Sequence, residues 1–156
     1  MVKHQAYIGL GTNLGDRQKN LQQALELLNQ QGVEVIRCSS IRETAPYGVT
    51  DQPDFLNCVC EVTTELMPLE LLRLLLKLEL DMGRVRLRHW GERCIDLDLL
   101  FYEQEIMDTP ELKLPHPDLQ NRDFVLEPLC ELAPEFIHPV LHKTIRRLLV
   151  ELQKRK

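Results

Sequence analysis

Two aspartates, Asp96 and Asp98, stand two residues apart in an otherwise apolar stretch of the chain. If residues 95–102 form a β-strand, side chains two apart project from the same face, so the two carboxylates lie side by side and repel each other. A divalent cation removes this conflict, because Mg²⁺ is usually held by one or two carboxylates together with substrate phosphates. A solvated edge strand is the simpler alternative for an isolated Asp-x-Asp pair. The alternation predicts an apolar face formed by Ile95, Leu97, Leu99 and Phe101, and an opposite face formed by Asp96, Asp98, Leu100 and Tyr102.

The segment just before this strand favours the metal interpretation. Residues 83–93 contain four arginines and one histidine but only one acidic residue. Guanidinium groups bind phosphate oxygens through two parallel hydrogen bonds. Carboxylates that hold a metal ion, next to arginines that bind phosphate, are the groups that phosphoryl transfer uses.

Length, composition and charge narrow the class of protein. The 156 residues, 44% hydrophobic and 28% charged, predict a single globular domain over residues 1–156. The formal net charge of −5 argues against a general nucleic-acid or membrane binder. The five cysteines form no Cys-x-x-Cys pair, which favours reduced thiols. Without an apolar leader or an 18-residue apolar run, the sequence predicts a soluble, cytoplasmic protein.

The predicted elements follow the order β-α-β-β-α-β. Strands are expected over residues 6–10 (ending at Gly11), 33–38, 57–62 and 95–102, with helices between Asp16 and Gly32 and between Pro68 and Gly83. This order is typical of an α+β, ferredoxin-like core. A short helix around residues 128–133 and a last helix containing Ile145 and Leu148 predict a C-terminal helical extension.

Glu79 is exceptional in the second predicted helix. Four polar residues repeat at helical spacing, and eight leucines predict that the rest of this helix is buried. Glu79 falls on the leucine side, close to the C-terminus of the helix, where the helix dipole disfavours an anion. Its carboxylate therefore needs a hydrogen-bond donor, unless it extends past the helix end into solvent.

Five stretches, in order, resemble the hydroxymethyl-dihydropterin pyrophosphokinase family of folate biosynthesis. They are residues 7–16, 44–46, 51–57, 89–100 and 115–124, and the fourth carries both aspartates. The resemblance runs from about residue 7 to residue 134. It implies transfer of the terminal pyrophosphoryl group of ATP to the hydroxymethyl oxygen of a reduced pterin, with release of AMP.

The resemblance also implies the roles of particular residues. Asp96 and Asp98 would hold two Mg²⁺ ions, and the catalytic group would comprise Arg84, Arg93, Asp96 and Asp98. The nucleotide would contact Glu79, Arg84, Arg93, His116 and Arg122. The pterin would contact Thr44, Pro46, Tyr47, Phe55, Asn57, Trp90, Asp96 and Phe124. Aromatic rings stack on a flat heterocycle, and an amide can meet its donor–acceptor edge. On sequence alone, the two phenylalanines can equally be core residues.

Two features depart from the family pattern. Glu92 stands where proline is usual, and Leu87 stands where some members have a basic residue. Both bear on how the loop before the Asp-x-Asp strand closes. The pair Gly9-x-Gly11 lacks the third glycine and the lysine of phosphate-binding loops, so it is interpreted as structural.

Other classes of protein remain as alternatives. A different Mg²⁺-dependent phosphotransferase would release ADP, and a non-catalytic ligand-binding module of the same fold would not turn over. An RNA-recognition module is disfavoured, because the third predicted strand has no aromatic residue and the chain is acidic. We expect ATP and the pterin as partners, no nucleic acid or membrane, and a monomer.

Overall fold

A five-stranded antiparallel sheet forms the centre of the molecule. The structure, a computed structural model, describes residues 2–45, 54–83 and 94–156. The strands of the sheet are β1 (His4–Thr12), β2 (Val33–Cys38), β3 (Arg42–Thr44), β4 (Phe55–Thr64) and β5 (Asp96–Tyr102). They run in the order β2-β4-β1-β5, and β3 pairs with β4. A second, two-stranded sheet joins β6 (Met107–Asp108) to β7 (Lys113–Leu114).

Helices cover both faces of the main sheet. The helices are α1 (Arg17–Gln30), α2 (Pro68–Met82), α3 (Asp123–Leu132) and α4 (Ile145–Arg155), with a 3-10 helix at Leu119–Asn121. Ile8 of β1 is fully buried against α1 and α2, in the same core as Leu75. Phe101 of β5 is buried on the opposite face, against α3 and α4, with Leu126. No helix within the described ranges is long and apolar enough to cross a membrane.

The predicted ends of the first two helices agree with the structure. Asp16 caps α1, because its carboxylate accepts the backbone N–H of Lys19 at 3.2 Å. Pro68 is the first residue of α2, and the N–H of Gly83 closes this helix on the carbonyl of Glu79 at 2.8 Å. These ends are set by local chemistry, which the sequence displays directly.

Longer-range packing produces four differences from these expectations. Strand β1 continues through Gly11 to Thr12, because it is paired with β4 on one side and β5 on the other. Helix α3 begins at Asp123 rather than near residue 128, since burial of its apolar side offsets the hydrogen bond that Pro128 removes. Strand β3 was not predicted. In α2, Leu76 and Leu80 are 46% and 69% exposed, so the prediction of a mostly buried helix is wrong on that side.

A β-bulge in β5 changes the predicted alternation of its faces. Ile8 of β1 pairs with Leu99. The preceding residue of β1 pairs with Phe101, so Leu100 is the additional residue of the bulge. Leu100 and Phe101 both face the α3–α4 core, whereas Leu99 and Tyr102 face the α1–α2 core. The prediction that Phe101 lies with Leu99, and Tyr102 with the aspartates, is therefore wrong.

His138, in the turn between α3 and α4, gives the fold a pH-sensitive point. Its side chain is buried, and its Nδ1 accepts the backbone N–H groups of Val140 and Leu141 at 3.2 and 3.0 Å. Burial, and to a smaller extent the nearby His142, lowers the pKa of His138 below its usual value. As the pH falls, the unfolded chain therefore takes up a proton at this residue before the folded protein does.

The free energy of unfolding is expected to decrease as the pH falls below about 6.5, the usual histidine pKa, and to be insensitive to this residue above it. His138→Asn keeps an acceptor for the same two N–H groups but cannot titrate, so its stability is expected to vary less with pH. Urea unfolding of both proteins between about pH 5 and 8 measures the difference. Parallel pH profiles would contradict the prediction.

Candidate active site

A cleft of about 210 Å³ opens on the α3 side of the sheet, above β1, β4 and β5. Several sequence-predicted site residues line it, namely Thr44, Phe55, Asn57, Asp96, Asp98, Arg122 and Phe124. They come from β3, β4, β5 and the start of α3. The fold thus brings together residues that are far apart in the sequence.

The two aspartates lie at the start of β5, beside the glycines of β1. Asp96 is opposite Gly11 in the antiparallel pairing, and Asp98 is opposite Gly9. Both aspartates are half-buried. Neither cross-strand neighbour carries a side chain, and both glycines line the cleft together with the two carboxylates. These glycines were not among the predicted site residues, although glycine inside a strand often marks a close approach by a ligand or another backbone.

The donor set of the aspartate pair suits a hard cation. Within the described ranges, no group of three or more His, Cys, Asp and Glu residues could hold a metal ion. This part of the chain therefore offers two carboxylates rather than a complete protein cage. Mg²⁺ is commonly bound in this way, with waters and substrate phosphates supplying the other oxygens, so the residues present fit Mg²⁺.

Asn57 and Thr44 form a hydrogen-bonded pair on the other side of Gly11. The side-chain amide of Asn57, which is only 8% exposed, donates to the hydroxyl of Thr44. This bond orients the amide so that its Oδ1 lies over Gly11. Gly11 also pairs with Asp96, so Asn57, Gly11 and Asp96 form one row across three strands. The cleft thus has an acceptor and a hydroxyl at one side and a carboxylate at the other.

Phe55 and Phe124 contribute aromatic surface from β4 and α3. Both are half-buried and line the cleft, and Phe124 also packs against the α3–α4 core. The guanidinium of Arg122 lies 5.8 Å from the centre of the Phe124 ring, and its Nε lies 3.7 Å from the carboxylate of Asp118. The arrangement places apolar ring surface and a positive charge at the same wall.

Cysteine chemistry is not a feature of this cleft. Cys58 borders it, but its side chain belongs to the α1–α2 core. Burial, with a smaller contribution from Cys38, raises the pKa of Cys58 to about 12. The thiol is therefore protonated at neutral pH and is not a nucleophile.

Two predicted nucleotide-binding residues lie outside the set that lines the cleft in the described part of the chain. The carboxylate of Glu79 accepts the backbone N–H of Leu97 at 2.7 Å, so the expected donor comes from the strand that carries the aspartates. His116 is half-buried, and its backbone N–H donates to the backbone carbonyl of Leu100 at 2.9 Å. Both residues thus contact β5 close to the site.

The remaining predicted site residues are Arg84, Arg93, Pro46, Tyr47 and Trp90. They fall on residues 46–53 and 84–93, outside the residues that the structure describes. The described ends of these two segments are informative, however. Thr44 and Ala45, which line the cleft, lie just before the first segment, and Asp96 closely follows the second. The roles of the five residues outside the described ranges remain predictions.

The fold and the cleft define an α+β protein with an aromatic, amide-bearing pocket beside paired carboxylates. The family model for 7,8-dihydro-6-hydroxymethylpterin-pyrophosphokinase matches residues 7–134. The chain is 44% identical over 135 residues to 2-amino-4-hydroxy-6-hydroxymethyldihydropteridine pyrophosphokinase of Haemophilus influenzae, covering 86% of this chain and 84% of that protein. The chain therefore belongs to the 7,8-dihydro-6-hydroxymethylpterin-pyrophosphokinase family, as its sequence motifs predict.

Some relatives are considerably longer than this chain. It is 40% identical over 148 residues to the folic acid synthesis protein fol1 of Schizosaccharomyces pombe, covering 94% of this chain but only 20% of that protein. Among solved structures, Plasmodium falciparum HPPK-DHPS is similar, with a TM-score of 0.77 at 18% identity over 99% of this chain and 46% of that chain. At that identity the similarity shows the fold alone.

Proposed function

We propose that this chain transfers the terminal pyrophosphoryl group of ATP to the hydroxymethyl oxygen of 6-hydroxymethyl-7,8-dihydropterin and releases AMP. One observation carries the proposal: the Asn57–Thr44 pair shares a single cleft with the carboxylates of Asp96 and Asp98. A flat heterocycle and the charged end of a nucleotide can therefore be held next to each other. Family membership supplies the type of reaction.

The pterin occupies the side of the cleft formed by β3, β4 and α3. Its ring stacks against Phe55 and Phe124, since aromatic faces stack favourably with flat heterocycles. Asn57 Oδ1 accepts from the ring's donor edge, and the hydroxyl of Thr44 still has a proton to donate. Pro46, Tyr47 and Trp90 complete this part of the site in our proposal, and Asp96 closes it towards the phosphates.

The triphosphate lies towards the start of β5. Arg122, beside Phe124 at the start of α3, is proposed to bind the phosphate oxygens, with Arg84, Arg93 and His116 as further donors. Glu79 contacts the strand that carries the aspartates, because its carboxylate accepts the backbone N–H of Leu97. Positive groups around the transferred phosphates stabilise the charge that shifts during transfer.

Asp96 and Asp98 would hold two Mg²⁺ ions, whose bound charge neutralises the phosphates and polarises the attacking hydroxyl. Two features support this role: the carboxylates share one strand face, and both line the cleft beside Gly9 and Gly11. We assign no general base to this step.

We further propose that the main sheet with α1 and α2 is a ferredoxin-like core. Without the short β3, the elements follow the β-α-β-β-α-β order, and the strand order β2-β4-β1-β5 supports this assignment. Helices α3 and α4 form the C-terminal extension, and α3 supplies one wall of the site. Residues 1–156 then form one pyrophosphokinase domain, which we expect to act as a monomer.

The direct test is incubation with ATP, Mg²⁺ and 6-hydroxymethyl-7,8-dihydropterin, followed by separation of the nucleotides. AMP and the pterin diphosphate are expected in equal amounts, with no reaction when Mg²⁺ is chelated. ADP as the product would indicate a different phosphotransferase. Binding of the pterin without turnover would indicate a ligand-binding module and contradict the proposal.

A methyl group at Gly11 is expected to weaken pterin binding. A Cβ at this position would stand 2.9 Å from Asn57 Oδ1 and 3.6 Å from Phe55, so Asn57 must move. Loss of one well-placed hydrogen bond typically weakens binding about tenfold. Gly9→Ala is the matched control, because its Cβ meets Leu100 only at ordinary contact distances of 3.6 Å and longer. Calorimetric titration with the pterin measures the affinity of each variant. Equal affinities in the Gly11 and Gly9 variants would contradict the prediction.

A further inference from the structure

Polar contacts fasten the strand that carries Thr44 to the helix that carries Phe124. We call these contacts the Arg42 cluster, which consists of Ser40, Arg42, Glu127 and Glu131. Arg42 donates to the carboxylate of Glu127 at 3.0 Å and to that of Glu131 at 3.4 Å. Ser40 donates twice to Glu131, from its backbone N–H at 2.8 Å and from its hydroxyl at 2.7 Å. The hydrogen bonds from Ser40 lower the pKa of the Glu131 carboxyl, and the bond from Arg42 lowers it further by a smaller amount. This carboxylate is therefore ionised at neutral pH.

The spacing of these residues aligns one face of the β3 segment with one face of α3. Ser40, Arg42 and Thr44 are two residues apart, the period at which side chains project from the same side of an extended chain. On the helix, Phe124 and the two glutamates of the cluster are three and four residues apart, the spacing of neighbours on one helical face. The two rows end together at the cleft, with Thr44 on one and Phe124 on the other.

Within the described residues, the short strand β3 is also held by an ion pair between Glu43 and Arg17 at 2.7 Å and by its pairing with β4. It has three paired positions, all with β4. Thr44, at its end, must stay within hydrogen-bonding distance of Asn57 for the amide to keep its orientation. An additional restraint on β3 therefore has a direct effect on the pterin side of the cleft.

We propose that Arg42 is a positioning residue that fixes the separation of Thr44 and Phe124, and thereby sets the affinity of the site for the pterin. This inference rests on the proposed function. Arg42 does not itself line the cleft; it acts through Thr44, two residues along the strand, and through Glu127, one helical turn after Phe124. The side chains of Arg42 and Glu127 are each 38% exposed, so their ion pair contributes little to global stability. We expect this ion pair to act instead on the separation of Thr44 and Phe124 in the cleft.

Arg37 offers a matched control. It also links the sheet to α3, by donating to Glu61 at 2.7 Å and to the backbone carbonyl of Leu132 at 3.0 Å. Leu132 is the last residue of α3, whereas Phe124 lies in its first turn. Removing Arg37 therefore loosens the same helix at the end that is distant from the cleft.

The test compares the full-length wild type with Arg42→Ala and Arg37→Ala. Binding of the pterin and of a non-hydrolysable ATP analogue with Mg²⁺ is measured separately by calorimetry, together with kcat and KM. Arg42→Ala is expected to raise the pterin Kd and KM about fivefold to tenfold, a range typical of coupled neighbouring groups. In Arg42→Ala, the nucleotide affinity and the kcat at saturation should stay within about twofold of the wild-type values. Arg37→Ala should bind the pterin as the wild type does.

A double-mutant cycle separates positioning from a general loss of stability. Glu127→Ala should weaken pterin binding, and adding Arg42→Ala should weaken it little further, because both changes remove the Arg42–Glu127 contact and the other contact of Arg42, to Glu131, is the longer one. If Arg42→Ala does not fold, Glu127→Gln takes its place with the same expectations. Wild-type affinity in Arg42→Ala, or equal weakening in Arg37→Ala, would overturn the inference. Failure of the wild type itself to bind the pterin would overturn the proposed function instead.

Discussion

Asp98→Ala is expected to reduce turnover by about 10²–10³ or more, because it removes a main electrostatic contact of the transferring group. Asp96→Ala is expected to have an effect of the same order. The core face of the strand is provided by other residues, such as Leu97 and Leu99, so both variants should remain folded. Initial rates at saturating ATP, Mg²⁺ and pterin, together with thermal melting, measure the two properties separately.

The control for this prediction is an aspartate on a different strand. Asp108 of β6 forms an ion pair with Lys113 and does not line the cleft. Asp108→Asn is therefore expected to leave turnover unchanged. In the absence of Mg²⁺, Asp98→Asn should be as stable as the wild type or slightly more so, since it relieves repulsion with Asp96. Activity within about tenfold of wild type in Asp98→Ala would remove the pair from the catalytic site.

Asn57→Ala is expected to weaken pterin binding by about 10-fold to 100-fold, with little change in nucleotide affinity. Removing one partner of a buried hydrogen bond typically costs about 1–3 kcal/mol, and each 1.4 kcal/mol is a factor of ten. Phe124→Ala should act in the same direction through lost stacking surface. Separate calorimetric titrations with the pterin and with an ATP analogue measure the two affinities.

Asn20 provides the matched comparison for Asn57. Its side chain also donates to a threonine hydroxyl, that of Thr12, at 3.3 Å and to a backbone carbonyl at 2.7 Å, but it does not line the cleft. Asn20→Ala should therefore lower stability without a selective loss of pterin affinity. If Asn57→Ala mainly disturbed nucleotide binding, the two ends of the site would be assigned the wrong way round.

Most of what the sequence predicted correctly depends on local chemistry. Helix starts and ends at Asp16, Pro68 and Gly83 follow from capping and proline rules that need only neighbouring residues. The need of Glu79 for a donor also follows from helical periodicity, although its partner, the N–H of Leu97, does not. The family motifs add the identity of residues whose functional roles the structure does not test.

The errors arise where pairing between strands decides the outcome. The bulge at Leu100 depends on the register between β1 and β5, which the alternation of β5 alone cannot reveal. Likewise, the sequence predicts that the first strand ends at Gly11. In the structure Gly11 belongs to a central strand, because it pairs with β4 on one side and with β5 on the other. Residues that three-dimensional packing places beside the site, such as Arg42, carry no motif at all.

The sequence by itself predicted which groups could bind a cation, a phosphate or a ring, because this depends on residue types and short spacings. The Asp96–Asp98 spacing needs only the two-residue period of a strand. The tertiary structure alone decided how those groups meet. The row of Asn57, Gly11 and Asp96 spans three strands, and its register is set by pairing and burial over the whole sheet rather than by any short stretch of sequence.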